Sequence, residues 1–398
     1  MRRHAAPAFH LREWLTHGSL MRMSSPVALA RCPDYASVPA ALSRVLSELG
    51  GVASFVKAGQ SVLIKPNLLS DALPEEAVTT HPEVVRALIR LVKAEGAKPW
   101  VADSPADVVG LERVWEKTGF RAMCAEEGVP LVALEKAGSQ RFDVDGIQFT
   151  IARPVLEADA IISVPKVKTH VLAGLTAGVK NLYGTVPGYQ KTALHKLYPR
   201  QAEFSRLLLA VYRQLKPVLT LADAVVGMEG NGPSGGTPVQ LGFLAASPDA
   251  VALDTVLCRM LKVDVRGIVY LGEARRQGVG ETDPARMVLL GDSAESLAPL
   301  SFVPPATLPT RYIPRWLVRL VGRYIWHHPA FTERCVSCGQ CVRACPVGAL
   351  SLAPRQRPVL SPAVCIECCC CHEVCPAHAI EMEPSPLVRL IRRVRSRR

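Results

Sequence analysis

The sequence predicts an α/β domain, with a mostly parallel sheet and helices on both faces, followed by a small α+β domain rich in cysteine. Short apolar segments alternate with amphipathic ones from residue 26 onward, which is typical of strands separated by helices. Hydrophobic residues make up 49% of the 398 residues, enough for a large buried core. Two dense cysteine motifs near the end of the chain mark the second, smaller domain.

The strands are predicted where apolar runs are short and end in polar residues. These runs are 27–31, 61–64, 100–102, 131–134, 160–164, 219–226 and 240–246. Residues 142–151 alternate in polarity around Asp145-Gly146, which predicts a hairpin. Because helical segments separate most of the other strands, we expect parallel pairing and a sheet that is covered on both faces.

The helices are predicted from apolar residues at helical spacing and from residues that cap a first turn. They are 38–49, 82–92, 111–118, 121–127, 204–215 and 248–261. The second helix begins at Thr80-His81-Pro82-Glu83, whose spacing is typical of a capping box. The last follows Ser247-Pro248-Asp249, with Ser247 as the predicted cap and an acid in the first turn.

Composition divides the chain into five predicted segments. They are an extension at 1–25 that we expect to be disordered, the α/β domain at 26–298, a connector at 299–331, the cysteine-rich domain at 332–384 and a basic tail at 385–398. The extension lacks the apolar core of a secretory signal, and a true start at Met21 or Met23 is expected.

The connector contains six prolines, and a helix formed by its aromatic and leucine residues is expected to pack on either domain. Those residues are Trp316, Leu317, Leu320, Tyr324 and Trp326.

The cysteines of the second domain form two copies of one pattern, C-x2-C-x2-C-x3-C-P. This pattern is that of a bacterial ferredoxin with two 4Fe-4S clusters, in which the fourth cysteine of each copy ligates the other cluster. Cluster one is therefore predicted on Cys335, Cys338, Cys341 and Cys375, and cluster two on Cys365, Cys368, Cys371 and Cys345. The domain is accordingly predicted to be a ferredoxin-like α+β iron-sulfur domain.

Structural zinc is the alternative, because C-x2-C pairs also suit tetrahedral zinc. Two complete eight-ligand copies that each end in Cys-Pro favour clusters. The second copy has Cys369 and Cys370 where the first has Gly339 and Gln340. We expect both extra thiols to pack as small apolar side chains, and a redox or alternative-ligand role is the competing interpretation. Since the other cysteines are scattered and free thiols persist in reducing compartments, a cytoplasmic location is expected.

The net charge of +12 is concentrated toward the end of the chain. The last twelve residues contain six arginines and no acid, which usually indicates a solvated tail. Apolar residues interleave with these arginines, so a helix lying on an acidic partner or an anionic membrane surface is the alternative. No apolar run approaches the ~18 residues that cross a bilayer. Few aromatic residues accompany the lysines and no nucleic-acid-binding module is present, so nucleic-acid binding is not expected.

Polar clusters follow four of the predicted strands. Ligands of open parallel sheets bind outside the carboxyl ends of the strands, so these clusters should converge on one crevice. Its cationic side chains suit a substrate with phosphate or carboxylate groups. The candidate catalytic residues are Lys168, His170 and Lys180. The candidate ligand-binding residues are Lys65, Asn67, His81, Asp103, Lys166, Asn181, Lys191, His195, Asp223, Glu229 and Asn231.

Five short segments together resemble the domain of unknown function 362 family, in which an α/β domain often precedes a two-cluster ferredoxin module. They are Lys65-Pro66-Asn67-Leu68, Thr80-His81-Pro82-Glu83, Pro165-Lys166-Val167-Lys168-Thr169-His170, Lys180-Asn181-Leu182-Tyr183-Gly184 and Glu229-Gly230-Asn231-Gly232-Pro233. The resemblance covers roughly residues 27–264 and, with 335–376, most of the chain. It implies an iron-sulfur protein of undefined activity.

Two functions remain open from the sequence. The first is an oxidoreductase that passes electrons from the two clusters to an anionic small molecule or a further cofactor in the crevice, with a redox protein as partner. The second is an electron carrier or docking subunit of a larger redox complex without its own catalysis. Binding of a small ligand in the crevice separates the two, since the carrier predicts none.

Overall fold

The computed structural model describes residues 25–105, 110–305 and 326–389, with Tyr189 described by its backbone alone. Residues 1–24 of the predicted extension 1–25, most of the connector and the end of the basic tail lie outside these residues, and Ser25 begins the first strand. Of the connector residues expected to form a helix, Trp316, Leu317, Leu320 and Tyr324 are therefore not described, whereas Trp326 stacks on His328 with ring centroids 4.2 Å apart.

The chain begins with a large sheet and ends with small antiparallel pairs. The strands are β1 Ser25–Arg31, β2 Ser61–Pro66, β3 Lys98–Ala102, β4 Leu131–Val132, β5 Ser139–Val144, β6 Ile147–Ala152, β7 Ala160–Val164, β8 Lys166–His170, β9 Gly174–Thr176, β10 Leu219–Glu229, β11 Thr237–Ser247, β12 Met287–Gly291, β13 His327–Phe331, β14 Leu350–Ser351, β15 Val359–Leu360 and β16 Ile380–Pro384. The α-helices are α1 Val38–Ser47, α2 Pro82–Ala94, α3 Leu111–Lys117, α4 Phe120–Glu126, α5 Arg153–Leu156, α6 Gly178–Asn181, α7 Gly188–Leu197, α8 Gln201–Leu215, α9 Ala250–Met260, α10 Val269–Gln277, α11 Ala294–Leu297, α12 Gln340–Arg343 and α13 Cys370–Glu373.

The large sheet has the strand order β12-β1-β11-β10-β7-β2-β3-β4, and β8 and β9 extend from β10. Pairing is parallel between β2, β3, β4 and β7, between β10 and both β7 and β8, and between β1 and β12. Strand β11 pairs antiparallel with β1 and β10, and β9 pairs antiparallel with β8. The expected mostly parallel α/β sheet is thus confirmed, and the hairpin is formed by β5 and β6.

Alternating side chains of the central strands bury two separate cores. Val62, Ile64 and Val101 face one core together with residues of α1 to α4. Leu63 and Trp100 face the other, which residues of α8, α9 and α10 complete. This alternation is the two-residue period of a strand, and it places helices on both faces of the sheet.

Three local features differ from the sequence-based expectation. Residues 166–170 form a strand on β10 instead of a polar loop, because the sheet continues beyond Pro165 and buries the lysines of this segment. Helix α2 is capped by His81, whose Nδ1 accepts from the amide of Glu83 at 3.3 Å, rather than by Thr80. Helix α9 is capped by Asp249, which accepts from the amides of Val251 and Ala252, whereas Ser247 accepts from the amide of Asp249.

The C-terminal region, residues 326–389, is a small α+β unit. Strand β13 pairs antiparallel with β16, and β14 pairs with β15. Strand β13 lies within the segment whose prolines predict a connector, so the sheet of this unit begins before residue 332. No helix among the described residues combines the length and apolar character needed to cross a membrane.

Candidate functional site

The eight motif cysteines line two cavities in the C-terminal region. Cys335, Cys338, Cys341 and Cys375 line one, whose volume including its open side is about 320 Å³. Cys345, Cys365, Cys368 and Cys371 line the other together with the extra thiol Cys369, and the volume of this cavity including its open side is about 350 Å³. Each cavity therefore takes three cysteines from one motif and the fourth from the other, the same two groups that the spacing predicts.

The two motifs have matching backbone geometry. Ser337 and Glu367 have φ of 53° and 55°, and Gly339 and Cys369 have φ of 74° and 62°. The amides of Ala349 and Ala379 donate to Sγ of Cys345 and Cys375 at 3.2 Å and 3.3 Å, the fourth cysteine of each motif. Amide donors to sulfur stabilise thiolate ligands, so this donor set fits iron-sulfur clusters. Among the described residues, no three His, Cys, Asp or Glu side chains are arranged to hold a single metal ion.

The second motif packs against the α/β domain, whereas Cys338 of the first motif is exposed. Cys369 forms a small apolar cluster with Val171 and Met382, and it also lines the second cysteine cavity. Ser234 Oγ donates to the carbonyl oxygens of His372 and Glu373 at 3.2 Å and 3.3 Å. The cysteine-rich region is thus joined to the α/β domain through its second half.

A cleft of about 740 Å³, including its open mouth, lies at this junction. Helix α13 and its surroundings form one wall, and loops after β2 and β3 with α6 and α7 form the others. The lining residues are Asn67, Leu69, Asp103, Ser104, Thr176, Lys180, Asn181, Tyr183, Gly184, Gly188, Lys191, Thr192, His195, Ala344, Cys370, Glu373 and Val374. The cleft is therefore bounded by both parts of the chain.

Two lysines face the cleft directly. The Lys180 ammonium makes no hydrogen bond or ion pair with any described residue, and burial lowers the pKa of Lys180 although Glu373 opposes this effect. Lys191 Nζ donates to the carbonyl of Ser104, and burial lowers the pKa of Lys191 to about 8. A half-buried ammonium without a partner is suited to bind an anionic group.

A buried ion pair supports the cleft from beneath. Lys65 Nζ lies 2.7 Å from Asp103 Oδ1, and the Lys65 side chain is 0% exposed. Lys65 also donates to the carbonyl of Pro66 at 2.9 Å and to Asn181 Oδ1 at 3.3 Å. Gly184 approaches so closely that a Cβ there would lie 2.0 Å from Asp103 Oδ1. The pair fixes Asp103 and Asn181, which both line the cleft, and it requires glycine at position 184.

Glu373 connects the α/β domain to helix α13. Its Oε1 lies 3.0 Å from His170 Nε2, and His170 Nδ1 accepts from the amides of Leu172 and Ala173 at 3.0 Å and 3.1 Å. His170 is therefore the tautomer that donates from Nε2. Burial alone would raise the pKa of Glu373, but the His170 hydrogen bond and the charge of Lys180 outweigh it and hold the pKa below its usual range.

Two polar atoms in the cleft wall have neither a hydrogen-bond partner nor an ion-pair partner among the described residues. They are Oγ1 of Thr176, a residue that is 2% exposed, and Oδ1 of Asn67. Burying a polar atom without a partner is costly, so such atoms indicate the position of a bound ligand or water. Next to them, His195 stacks on Phe204 with ring centroids 4.7 Å apart, and burial lowers the pKa of His195 to about 4.

The structure brings only some of the sequence-predicted residues to this cleft. Those that line it are Asn67, Asp103, Lys180, Asn181, Lys191 and His195. Lys65, Lys168 and His170 lie behind the wall. Lys168 is 1% exposed, its Nζ donates to the carbonyl of Val78, and burial lowers its pKa well below the ordinary value.

The remaining predicted residues lie elsewhere. Lys166 Nζ is 2.6 Å from Asp223 Oδ2, and Asp223 also accepts from the amide of His81 at 2.9 Å. The His81 ring stacks on Tyr35 with ring centroids 3.5 Å apart, and Tyr35 Oη accepts from Lys166 Nζ at 2.9 Å, so these four residues form a network separate from the cleft. Glu229 accepts from the amide of Val303 at 2.8 Å, and neither Glu229 nor Asn231 lines the cleft.

The other eleven lining residues are not among the site residues predicted from the sequence, and Thr176, Tyr183, Cys370 and Glu373 are four of them. Tyr183 lies two residues after Asn181, in one of the segments that carry the family resemblance. Cys370 is one of the two extra thiols of the second cysteine motif. Thr176 and Glu373 carry no such signal, because Glu373 reaches the cleft only through the packing of α13 on the α/β domain.

Comparison with known proteins gives two family matches and one close relative. The model for Domain of unknown function (DUF362) matches residues 62–259, and the model for 4Fe-4S binding domain matches residues 330–351, which contain the first cysteine motif. The Thylakoid-associated protein sll1697 of Synechocystis sp. is 37% identical over 265 residues, which are 65% of this chain and 82% of that protein.

Two solved structures are more distantly similar. The lactate racemase apoprotein from Thermoanaerobacterium thermosaccharolyticum has a TM-score of 0.38 and 15% identity, over 59% of this chain and 56% of that chain. A protein from Thermotoga maritima has a TM-score of 0.33 and 14% identity, over 50% of this chain and 52% of that chain. The chain thus spans about half the length of each.

Proposed function

Because the chain belongs to the Domain of unknown function (DUF362) family and carries a 4Fe-4S binding domain beside a cationic cleft, we propose that it is an iron-sulfur oxidoreductase. Its ligand is an anionic small molecule, either a substrate or a further cofactor, bound in the cleft. The proposal includes two 4Fe-4S clusters, held by the two groups of four cysteines described above.

One observation carries this proposal: the second cysteine motif forms part of the cleft wall. Helix α13 holds the ligand cysteine Cys371, and its neighbours Cys370 and Glu373 line the cleft. A cluster at this motif supplies single low-potential electrons. An electron source within one helical turn of a ligand-binding wall supports catalysis better than it supports a carrier that only docks other proteins.

The chain's own residues bind, orient and protonate the ligand in this proposal. Lys180 and Lys191 provide the positive charge, and Asn67 and Thr176 offer unpartnered polar atoms for orientation. Lys180 is the residue best placed to neutralise negative charge that develops on the ligand. Lys168 and His170 do not reach the cleft, so we assign them positioning roles, His170 through its hydrogen bond to Glu373.

The experiment is anaerobic purification followed by iron and sulfide analysis, electron paramagnetic resonance of the reduced protein, and mass spectrometry of co-purifying small molecules. Binding of phosphate, pyrophosphate and succinate is then measured by calorimetry for the wild type and for Lys180→Ala. Lys196→Ala is the control, because Lys196 is an exposed lysine on α7.

We expect an anion to bind the wild type and the control, and to bind Lys180→Ala at least roughly tenfold more weakly, as loss of a charge-assisted contact implies. A protein that contains clusters but binds neither these anions nor any co-purifying molecule would instead be the electron carrier or docking subunit. A colourless preparation that contains zinc and no sulfide would contradict both.

A peripheral membrane location is a further part of the proposal. The relative from Synechocystis sp. is named a thylakoid-associated protein, and the tail of this chain, residues 385–398, is rich in arginine. Arginines interleaved with apolar residues suit an anionic lipid surface. Co-sedimentation with phosphatidylglycerol vesicles, compared with phosphatidylcholine vesicles and with a chain shortened to residue 389, tests this location.

A further inference from the structure

The two cysteine motifs differ in their surroundings. The second is buried against the α/β domain, as described above. The first is at the surface: Cys338 is exposed, and the neighbouring Val336 is 68% exposed. Electron transfer to a protein partner requires a redox centre near the surface, so the first motif is the accessible one.

Charge is divided between the two halves in the same way. Residues 332–364 contain four arginines and one acid, Glu333, whereas residues 365–389 contain four glutamates and one arginine. The four arginines are Arg334, Arg343, Arg355 and Arg357. The exposed half is therefore the basic half.

Three of these arginines lie beside Cys338. Arg343 Nη1 donates to the carbonyl of Cys338 at 3.3 Å. Arg355 and Arg357 flank Gln356, whose carbonyl accepts from Ser337 Oγ at 2.7 Å. Arg357 pairs with Glu333, but neither Arg343 nor Arg355 has an acidic partner within 4.0 Å among the described residues. The charge of these two arginines is thus available to a partner.

Apolar side chains are exposed between these arginines. Val336 and Val359 are 68% and 62% exposed, and Pro358, next to Val359, lines the same cavity as Val336. An apolar centre with a charged rim is the usual composition of a protein-protein interface. We call Val336, Arg343, Arg355, Arg357 and Val359 the arginine face.

We propose that the arginine face docks an acidic protein that donates single electrons. The donor is oxidised by one electron, which enters this chain at the first motif, while the second motif serves the cleft. This inference rests on the proposed function, because it requires that the motifs hold clusters. Charge complementarity selects an acidic partner, since a basic one would be repelled by Arg343 and Arg355.

The test uses the holoprotein and reduced flavodoxin, an acidic one-electron donor. Stopped-flow absorbance gives the rate of electron transfer, and calorimetry of the two oxidised proteins gives the Kd. The variant is Arg355→Glu with Arg357→Glu. The matched control is Arg266→Glu with Arg276→Glu, two exposed arginines of the α/β domain that each pair with an acid, as Arg357 does. Dithionite reduction, which needs no docking, checks that the clusters are intact.

We expect the wild-type rate to fall with added salt and the charge-reversed variant to react roughly tenfold more slowly, with a matching rise in Kd. The control variant and all dithionite rates should stay unchanged. Equal flavodoxin rates and Kd values for the two double variants, or no transfer from flavodoxin to a wild type that dithionite reduces, would overturn the inference. Absence of the clusters is distinguishable, because dithionite would then produce no cluster signal, and failure of the proposed catalysis is distinguishable by the anion-binding calorimetry described above.

Discussion

Replacing Asp103 by Asn tests the physical basis of the cleft floor. Asn retains the size of the side chain and an oxygen that can accept from the amide of Leu68, which donates to Asp103 Oδ2 at 2.6 Å. It removes only the charge that pairs with Lys65 at 2.7 Å. Burial lowers the pKa of Lys65 and Asp103 opposes this effect, so the variant leaves the ammonium without compensation.

The magnitude follows from the cost of neutralising that lysine. Deprotonating a lysine with an ordinary pKa of 10.5 costs about 1.4 kcal/mol per pH unit, or about 5 kcal/mol at pH 7. This is an upper limit, because Lys65 in the folded variant adopts whichever of its charged and neutral forms has the lower free energy. Breaking a buried pair typically costs about 3 to 5 kcal/mol, so we expect a loss of that size in the free energy of unfolding.

The pH dependence gives an independent check. If Lys65 is neutral in the folded variant and charged in the unfolded chain, the unfolded state binds one more proton. Stability of the variant relative to wild type should then rise between pH 7 and pH 10, by up to about 1.4 kcal/mol per unit. The double variant Lys65→Met with Asp103→Asn should be more stable than Asp103→Asn alone, because no buried charge remains.

The assay is anaerobic urea unfolding of the holoprotein, followed by circular dichroism in both directions at pH 7, 8, 9 and 10. A loss below about 1 kcal/mol for Asp103→Asn, the size of an exposed pair, would refute the reasoning. A difference from wild type that does not change with pH would refute the neutral-lysine explanation.

Three further results are expected. Binding of an anion in the cleft should weaken as pH rises through about 8, because Lys191 loses its proton there, and calorimetry should show a flatter profile for Lys191→Arg. Cys368→Ala should reduce iron from about eight to about four atoms per chain, whereas Cys369→Ala should leave the iron content unchanged, by metal analysis. Burial raises the pKa of Asp254 to about 7, so its contribution to stability should fall as pH rises from about 4 to 7, and unfolding of Asp254→Asn should lack this dependence.

The strand pattern predicted the architecture because burial on both faces leaves a strong signal in sequence. The apolar runs 61–64 and 160–164 are the central strands β2 and β7, and their neighbours follow from the alternation of strand and helix. The position of Asn67 and Asp103 on one cleft follows from the same rule, since parallel strands end at the same edge.

The parts that sequence reasoning missed depend on packing between distant segments. The sequence predicts Lys166 as a ligand-binding residue, but β8 continues the sheet and turns this lysine toward Asp223, 57 residues later in the chain. Glu373 reaches the cleft because α13 docks on Ser234, a contact that no periodicity encodes. The sequence predicts that the site is rich in lysine, but tertiary contacts determine which of these lysines line the cleft.

The shared wall of the cleft has a consequence for how the protein fails. Helix α13 contains both Cys371, a predicted cluster ligand, and two residues that line the cleft, Cys370 and Glu373. Damage by oxygen or shortage of iron at the second motif would therefore remove the reductant and deform the pocket in one event. A chain without the proposed cluster would then release the proposed ligand instead of holding it unreacted. Inactive copies of the protein would therefore not compete with active copies for that ligand.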